Sequence, residues 1–228
     1  MTSETERQKA RVCLVADHPL VREHLTALLR READLDVSGE AADGLTAQSL
    51  LSREEPDLVI LDDSSKHASG LELLKDLKKL RPKLPVLVVS MQDETLCAER
   101  SLRAGAMGYI TKEEATANVL SAVRKVLAGQ VYVSERMAGR IKQKRAGANV
   151  AEVGSPLEVL TEREWEVFER IGRGLETWQV AEELRLGIKT VESYRARIRE
   201  KLQLTDGGQL LQQASQWVGK PCQGGTQP

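Results

Sequence analysis

Over the first 130 residues, short continuous apolar runs alternate with stretches whose apolar positions recur every three or four residues. Val12-Cys13-Leu14-Val15 is the first run, and Val21, Leu25, Leu28 and Leu29 then mark one face of a helix. Val37 to Ala41 predicts a second strand and Leu45 to Leu51 a helix, followed by Leu58 to Leu61 and Leu71 to Leu80. Val86 to Val89 precedes a helix over Leu96 to Arg103, and Met107 to Ile110 precedes one over Val119 to Leu127. Runs of this kind suit strands buried on both faces, with amphipathic helices as the cover. Five strand–helix units in this length predict an α/β doubly wound domain over residues 10–130. Its five-stranded parallel sheet is of flavodoxin-like order, with ligands at the carboxyl ends of the strands.

The pattern then changes. Residues 131–156 read as an extended piece, a short basic helix (Arg136, Arg140, Lys142, Lys144, Arg145) and a small, Gly-containing linker from Ala146 to Pro156. Residues 157–218 predict a small all-α domain. Thr161 with Glu164 makes a capping box ahead of Trp165, Phe168 and Ile171, and Gly172 and Gly174 end that helix. Thr177 is expected to cap a second helix carrying Val180, Ala181 and Leu184, and a third begins near Ile188 after Arg185-Leu186-Gly187. Asp206 and Gln209 suggest a capped final helix with Leu210, Leu211 and Ala214, weakened at its start by Gly207-Gly208. Residues 219–228 read as a disordered tail.

With 29% charged and 41% hydrophobic residues and a net charge of −1, the chain has a soluble globular profile. Any attraction for nucleic acid must therefore be local. It is local in the third helix, where six Lys/Arg from Arg185 to Lys201 face Glu192 and Glu200. Val191, Ile198 and Leu202 share a stripe with Tyr194 on its flank, and Lys189, Ser193, Ala196 and Arg197 lie opposite, with Thr190 and Glu192 at the edges. A helix packed by one stripe and showing short polar and cationic groups outward suits the major groove of double-stranded DNA. Cys13, Cys97 and Cys222 lack metal-ligand or paired spacing, which fits a reduced cytoplasmic setting. Residues 1–10 carry no apolar signal core, and no apolar run is long enough for a bilayer, so no membrane role is expected. His18, His24 and His67 have no ligand spacing, and Trp165 and Trp178 read as packing residues.

The strand ends collect polar groups: Ala16-Asp17, Asp62-Asp63, Ser90 and Lys112. Acids, a hydroxyl and a lysine at one sheet edge can hold a divalent cation and a phosphoryl group, although each alone is ordinary where a strand meets a loop. Together, the segments VADHPLVREHLTALL, PDLVILD, VLVVSM and GYITK resemble the receiver domain of two-component response regulators. The resemblance implies Asp62 as phosphoacceptor, Asp17 and Asp62 as Mg2+ ligands, Ser90 and Tyr109 as switch residues and Lys112 as the phosphate-binding lysine. It also implies a sensor histidine kinase as partner. Two departures stand out: Ala16 replaces one of two adjacent acids, and Ser65-Lys66 replaces a Met-Pro pair. Losing a carboxylate should weaken Mg2+ binding. Lys66 could lower the need for metal, or Asp63 could lend an acid, although surface solvation is the expected setting for Asp63.

Leu160 to Leu202, with Lys189-Thr190-Val191-Glu192, Tyr194, Arg195, Ile198 and Lys201-Leu202, resembles the LuxR/NarL-type helix-turn-helix. Lys189, Arg197 and Lys201 are then expected on DNA phosphates, with Thr190 and Tyr194 also near the backbone and Glu192 and Ser193 facing base edges. The simpler role for Glu192 is an intrahelical pair with Arg195. The whole arrangement implies a DNA-binding transcriptional response regulator of the NarL/FixJ type rather than an enzyme. Phosphorylation would alter the surface of the fourth helix, fifth strand and fifth helix and favour a homodimer on DNA. A phosphorylation-independent regulator with an atypical receiver is the alternative. A phosphotransfer enzyme using an aspartyl-phosphate comes third, because Asp62-Asp63 has no second acid two residues on.

Overall fold

The computed structural model describes residues 9–63, 70–92, 94–145 and 156–219. The first unit begins with β1 (Ala10–Val15), α1 (Pro19–Arg30), β2 (Leu35–Ala41), α2 (Gly44–Arg53) and β3 (Leu58–Asp62). It continues with α3 (Gly70–Leu80), β4 (Val86–Ser90), α4 (Glu94–Arg103), β5 (Gly108–Thr111) and α5 (Lys112–Leu127). The five strands are parallel in the order β2-β1-β3-β4-β5. Every residue of β3 and β4 is buried, as strands covered by helices on both faces require. On one face Leu14, Ile60, Leu87 and Val89 pack with Leu25 and Leu29 of α1 and Val119 and Val123 of α5. Register sets the end of the sheet that matters: Val15 pairs with Leu61, Asp62 with Val89, and Ser90 with Thr111. Asp17, Asp62, Ser90 and Lys112 therefore emerge at one edge.

Helix α5 starts at Lys112, two turns before the expected Val119, because the Thr111 hydroxyl accepts from Glu114 N–H at 3.3 Å and Glu113 and Glu114 occupy the first turn. The extended piece expected after residue 130 lies against the sheet. Tyr132 lies beside β5: Tyr109 N–H donates to the Tyr132 carbonyl at 2.9 Å, and Tyr132 N–H to the Met107 carbonyl at 3.0 Å. Helix α6 (Glu135–Arg145) follows, with Met137 buried. The chain divides into two compact units after Ala148, so residues 131–145 belong with the receiver-like fold rather than with a linker. Most of the expected linker, 146–155, and most of the expected tail, 220–228, lie outside the described residues.

The second unit holds a short 3-10 turn (Pro156–Val159), α7 (Glu162–Gly172), α8 (Thr177–Leu184), α9 (Ile188–Lys201) and α10 (Gly207–Gly219). The capping box is formed: Thr161 N–H donates to Glu164 Oε2 at 2.8 Å, and Glu164 N–H to Thr161 Oγ1 at 3.4 Å. The cap of α8 is Glu176, one residue before the expected Thr177, because Gln179 Oε1 accepts from Glu176 N–H at 2.8 Å. Trp165, Phe168 and Trp217 pack as an aromatic cluster, Trp165 edge-on to Trp217 at 4.6 Å. Trp178, expected inside, is 57% exposed on α8. Leu210 and Ala214 of α10 are buried, whereas Leu211 is exposed. Asp206 caps α10 through Gln209 N–H at 2.9 Å, while the Gln209 side chain accepts from Thr205 N–H at 3.0 Å, one residue earlier than a capping box needs.

Gly172 marks where α10 crosses α7. A Cβ there would lie 2.5 Å from the Ala214 carbonyl oxygen. Gly172→Ala should destabilise the second unit by about 1–3 kcal/mol through overpacking, read as a lowered urea midpoint with an unchanged slope.

Candidate functional site

Asp62 ends β3 with its side chain fully buried, and the Lys112 ammonium sits 2.8 Å from its Oδ2. A carboxylate taken out of water needs a counter-charge at hydrogen-bond distance, and the junction of β5 with α5 delivers one. Ser90 closes β4, is fully buried, donates to Asp63 Oδ2 at 3.3 Å and accepts from Gln92 N–H at 3.0 Å. Tyr109 is fully buried, and its hydroxyl donates to the Gln92 carbonyl at 3.1 Å. Asp17 is half-buried two residues beyond β1, and the Arg22 guanidinium donates to the carbonyls of Ala16 at 2.6 Å and Asp17 at 3.1 Å. Asp17, Lys112, His18 and His24 help line an apolar depression of about 640 Å³ between α1 and α5.

Asp63 departs from its expected setting. It is half-buried, bonded to Ser90 and pressed against Gly70, where a Cβ would come within 1.8 Å of Asp63 Oδ1. Asp63 is the first residue beyond β3, and its carboxylate meets Ser90 and Gly70 while that of Asp62 meets Lys112. Among the described residues no three carboxylate, imidazole or thiolate groups gather to hold a metal, and Asp63 lends no third acid. Asp17 and Asp62 remain, on adjoining strand ends. Mg2+ accepts one or two carboxylates completed by water and phosphate oxygens, so this sparse pair fits it. Ser65, Lys66 and His67 lie outside the described residues. Sequence reasoning missed Gln92 and Arg22. Gln92 acts on the tyrosine through its main chain, which no side-chain motif marks, and Arg22 serves main-chain carbonyls, which its residue type does not announce.

On α9, Lys189, Thr190, Ser193, Tyr194 and Arg197 line a shallow depression of about 280 Å³. Val191 and Ile198 are fully buried on the opposite stripe. Lys189, Thr190, Glu192, Ser193 and Arg197 are exposed, and Tyr194 is half-buried on the flank. Ser193 Oγ donates back to the Lys189 carbonyl at 2.9 Å, leaving its lone pairs outward. Among the described residues Glu192 forms no ion pair with Arg195.

Lys201 differs from expectation. Its ammonium binds Glu164 Oε2 at 2.6 Å and the Val159 carbonyl at 3.3 Å, which ties the end of α9 to the start of α7. Burial pushes the Glu164 carboxyl up, but Lys201 and the Thr161 donors outweigh it and hold it below the usual glutamate range. The tie is therefore intact at neutral pH and is lost only as pH falls through that lowered value. A lysine so engaged serves the packing of its own domain before it serves a phosphate.

A buried aspartate–lysine pair at the carboxyl edge of a five-stranded parallel sheet, followed along the chain by a helical unit with a cationic outer helix, is the arrangement of a receiver domain followed by a helix-turn-helix. Residues 12–124 match the response regulator receiver domain, and residues 158–214 match the bacterial regulatory proteins of the luxR family. The response regulator GacA of Pseudomonas aeruginosa is 34% identical over 200 residues, which cover 88% of this chain and 92% of that protein. The transcriptional activator protein ExaE of Pseudomonas putida is 34% identical over 204 residues, covering 88% and 93%. Among solved structures, a LuxR-family two-component response regulator from Aurantimonas sp. SI85-9A1 is 32% identical with a TM-score of 0.56, covering 61% of this chain and 99% of that one. RcsB from Salmonella enterica serovar Typhimurium, bound to promoter rprA, shares the fold at a TM-score of 0.72 and 23% identity, over 91% of this chain and 99% of its own. The chain belongs to the two-component response regulators with a LuxR-type DNA-binding domain. It is a DNA-binding transcriptional response regulator, and receiver domains of this kind generally bind Mg2+.

Proposed function

We propose that Asp62 accepts a phosphoryl group from a sensor histidine kinase in the cytoplasm, and that this controls promoter binding by α9. The observation that carries the reading is the fully buried Asp62 carboxylate held by Lys112 at 2.8 Å. An Asp62 oxygen attacks phosphorus, the P–N bond of the donor phosphohistidine breaks, and its electron pair leaves with the imidazole nitrogen. Mg2+, held by Asp17 and Asp62, supplies charge neutralisation on the phosphoryl oxygens when bound. Lys112 then turns from the carboxylate to the added phosphoryl charge. Ser90 leaves Asp63 to donate to the phosphoryl group, and the turn that contains Gln92 follows, with Tyr109 attached to it. The states differ in their contacts to one ligand, which is what a population shift requires.

The favoured state forms a homodimer on double-stranded DNA, with two α9 helices in successive major-groove half-sites. Lys189 and Arg197 neutralise phosphates, Thr190 and Tyr194 approach the backbone, and Glu192 and Ser193 meet base edges. Lys201 has no place in this set because Glu164 holds it. The protein performs no catalytic turnover. Lys189→Ala and Arg197→Ala should each weaken binding to all sequences and reduce the slope of log affinity against log salt by about 1. Electrophoretic mobility or fluorescence anisotropy titrations at several salt concentrations measure this. An unchanged slope in both variants would remove α9 from the phosphate interface.

A further inference from the structure

Outside the phosphoacceptor pocket, a buried carboxylate of the receiver unit has no part in the chemistry above. Glu94, the first residue of α4, is 3% exposed. It accepts from the backbone N–H of Ser134 at 2.8 Å and from the hydroxyl of the same serine. Ser134 is also the cap of α6: its hydroxyl accepts from Met137 N–H at 3.1 Å, and its carbonyl from Ala138 N–H at 2.9 Å. Burying a carboxylate is costly without donors, and both of these come from the one residue that starts α6. The first turn of α6 is therefore pinned to the first turn of α4.

Ser90 and Gln92, just ahead of α4, carry the switch contacts. Gln92, two residues before Glu94, meets Ser90 through its N–H and Tyr109 through its carbonyl, and its Oε1 accepts from the Cys97 thiol at 2.8 Å. Tyr109 in turn holds the Tyr132 carbonyl through its backbone N–H at 2.9 Å. Glu94 is thus joined to Ser134 directly and Gln92 to Tyr132 through Tyr109, and from α6 the chain leads on to the DNA-binding unit. We propose that the Glu94–Ser134 clamp makes α6 the output element of the receiver, with Glu94 as the positioning residue that passes the state of Ser90 into α6. The proposal rests on the reading of Asp62 as phosphoacceptor.

The test uses the full chain as wild type, Glu94→Gln and Ser134→Ala, each with and without acetyl phosphate. Intact mass reads phosphoryl uptake, hydrogen exchange reads residues 133–143, and anisotropy reads affinity for a promoter fragment that retains the wild type. Both variants should take up phosphoryl as wild type does while residues 133–143 exchange faster. The ratio of phosphorylated to unphosphorylated affinity, about tenfold for a typical allosteric coupling, should fall to about twofold or less in Glu94→Gln. Ser134→Ala keeps its backbone donor, and its ratio should fall less. A wild-type ratio in both variants despite faster exchange overturns the clamp as a coupling device. If the wild type itself gains no phosphoryl group, the reading of Asp62 fails instead. The clamp is then judged on affinity without phosphoryl, and unchanged affinity and exchange in both variants overturn it as well.

Discussion

Asp62→Asn should take up no phosphoryl group from acetyl phosphate under conditions in which the wild type gains one by intact mass, and its DNA affinity should no longer respond to treatment. The amide keeps the shape of the carboxylate and an oxygen for Lys112, so the change removes the nucleophile while sparing the packing around a fully buried side chain. The expected loss is complete rather than graded, because the described residues at that edge place no second acid on Lys112. Asp17 lies on the neighbouring strand end, and Asp63 is bonded to Ser90. A typical coupling of about 1–3 kcal/mol between the two sites should vanish with the acceptor. Asp62→Ala and Asp62→Glu complete the series. Equal DNA affinities across the wild type and all three variants, treated or not, would favour a regulator whose receiver works without phosphorylation. Ala16, at a position where the resemblance implies an acid, is the reason to make that comparison.

Phe168→Ala should unfold most of the DNA-binding unit and leave the receiver intact. Phe168 is fully buried beside the Trp165–Trp217 pair, and truncating such a ring costs about 3–5 kcal/mol. A unit of some 60 residues has only about 3–9 kcal/mol to lose, at typical stability per residue. DNA retention should therefore collapse while phosphoryl uptake at Asp62 persists. All three tryptophans, at 165, 178 and 217, belong to this unit, so intrinsic fluorescence during urea titration reports its unfolding alone. A shift corresponding to less than about 1 kcal/mol would show that the aromatic cluster is not what holds α7 to α10.

Much of the fold was legible because its determinants are local or periodic. The buried runs at Val12, Leu58 and Val86 announce strands covered on both faces. The Thr161–Glu164 box announces α7 from four residues before its first aromatic. The stripe of Val191 and Ile198 orients α9. What escaped were partnerships between distant positions. Lys201 reads as one more cation on a basic helix until Glu164, 37 residues earlier, closes on it. Asp63 reads as a solvated turn residue until Ser90 and Gly70 converge on it. Trp178 reads as core because its residue type favours burial, yet the aromatic cluster draws on α10 instead.

The alternation of apolar runs and amphipathic stretches was sufficient to specify a parallel sheet, its acidic carboxyl edge and a separate helical unit with a cationic face. Side-chain period and capping chemistry are properties of neighbouring residues, so they are written along the chain. The tertiary structure alone decided that residues 131–145 fold back on the receiver and which polar groups are held inside. Those outcomes depend on burying a charge only where a donor from elsewhere meets it, and that match exists only once the chain has closed on itself.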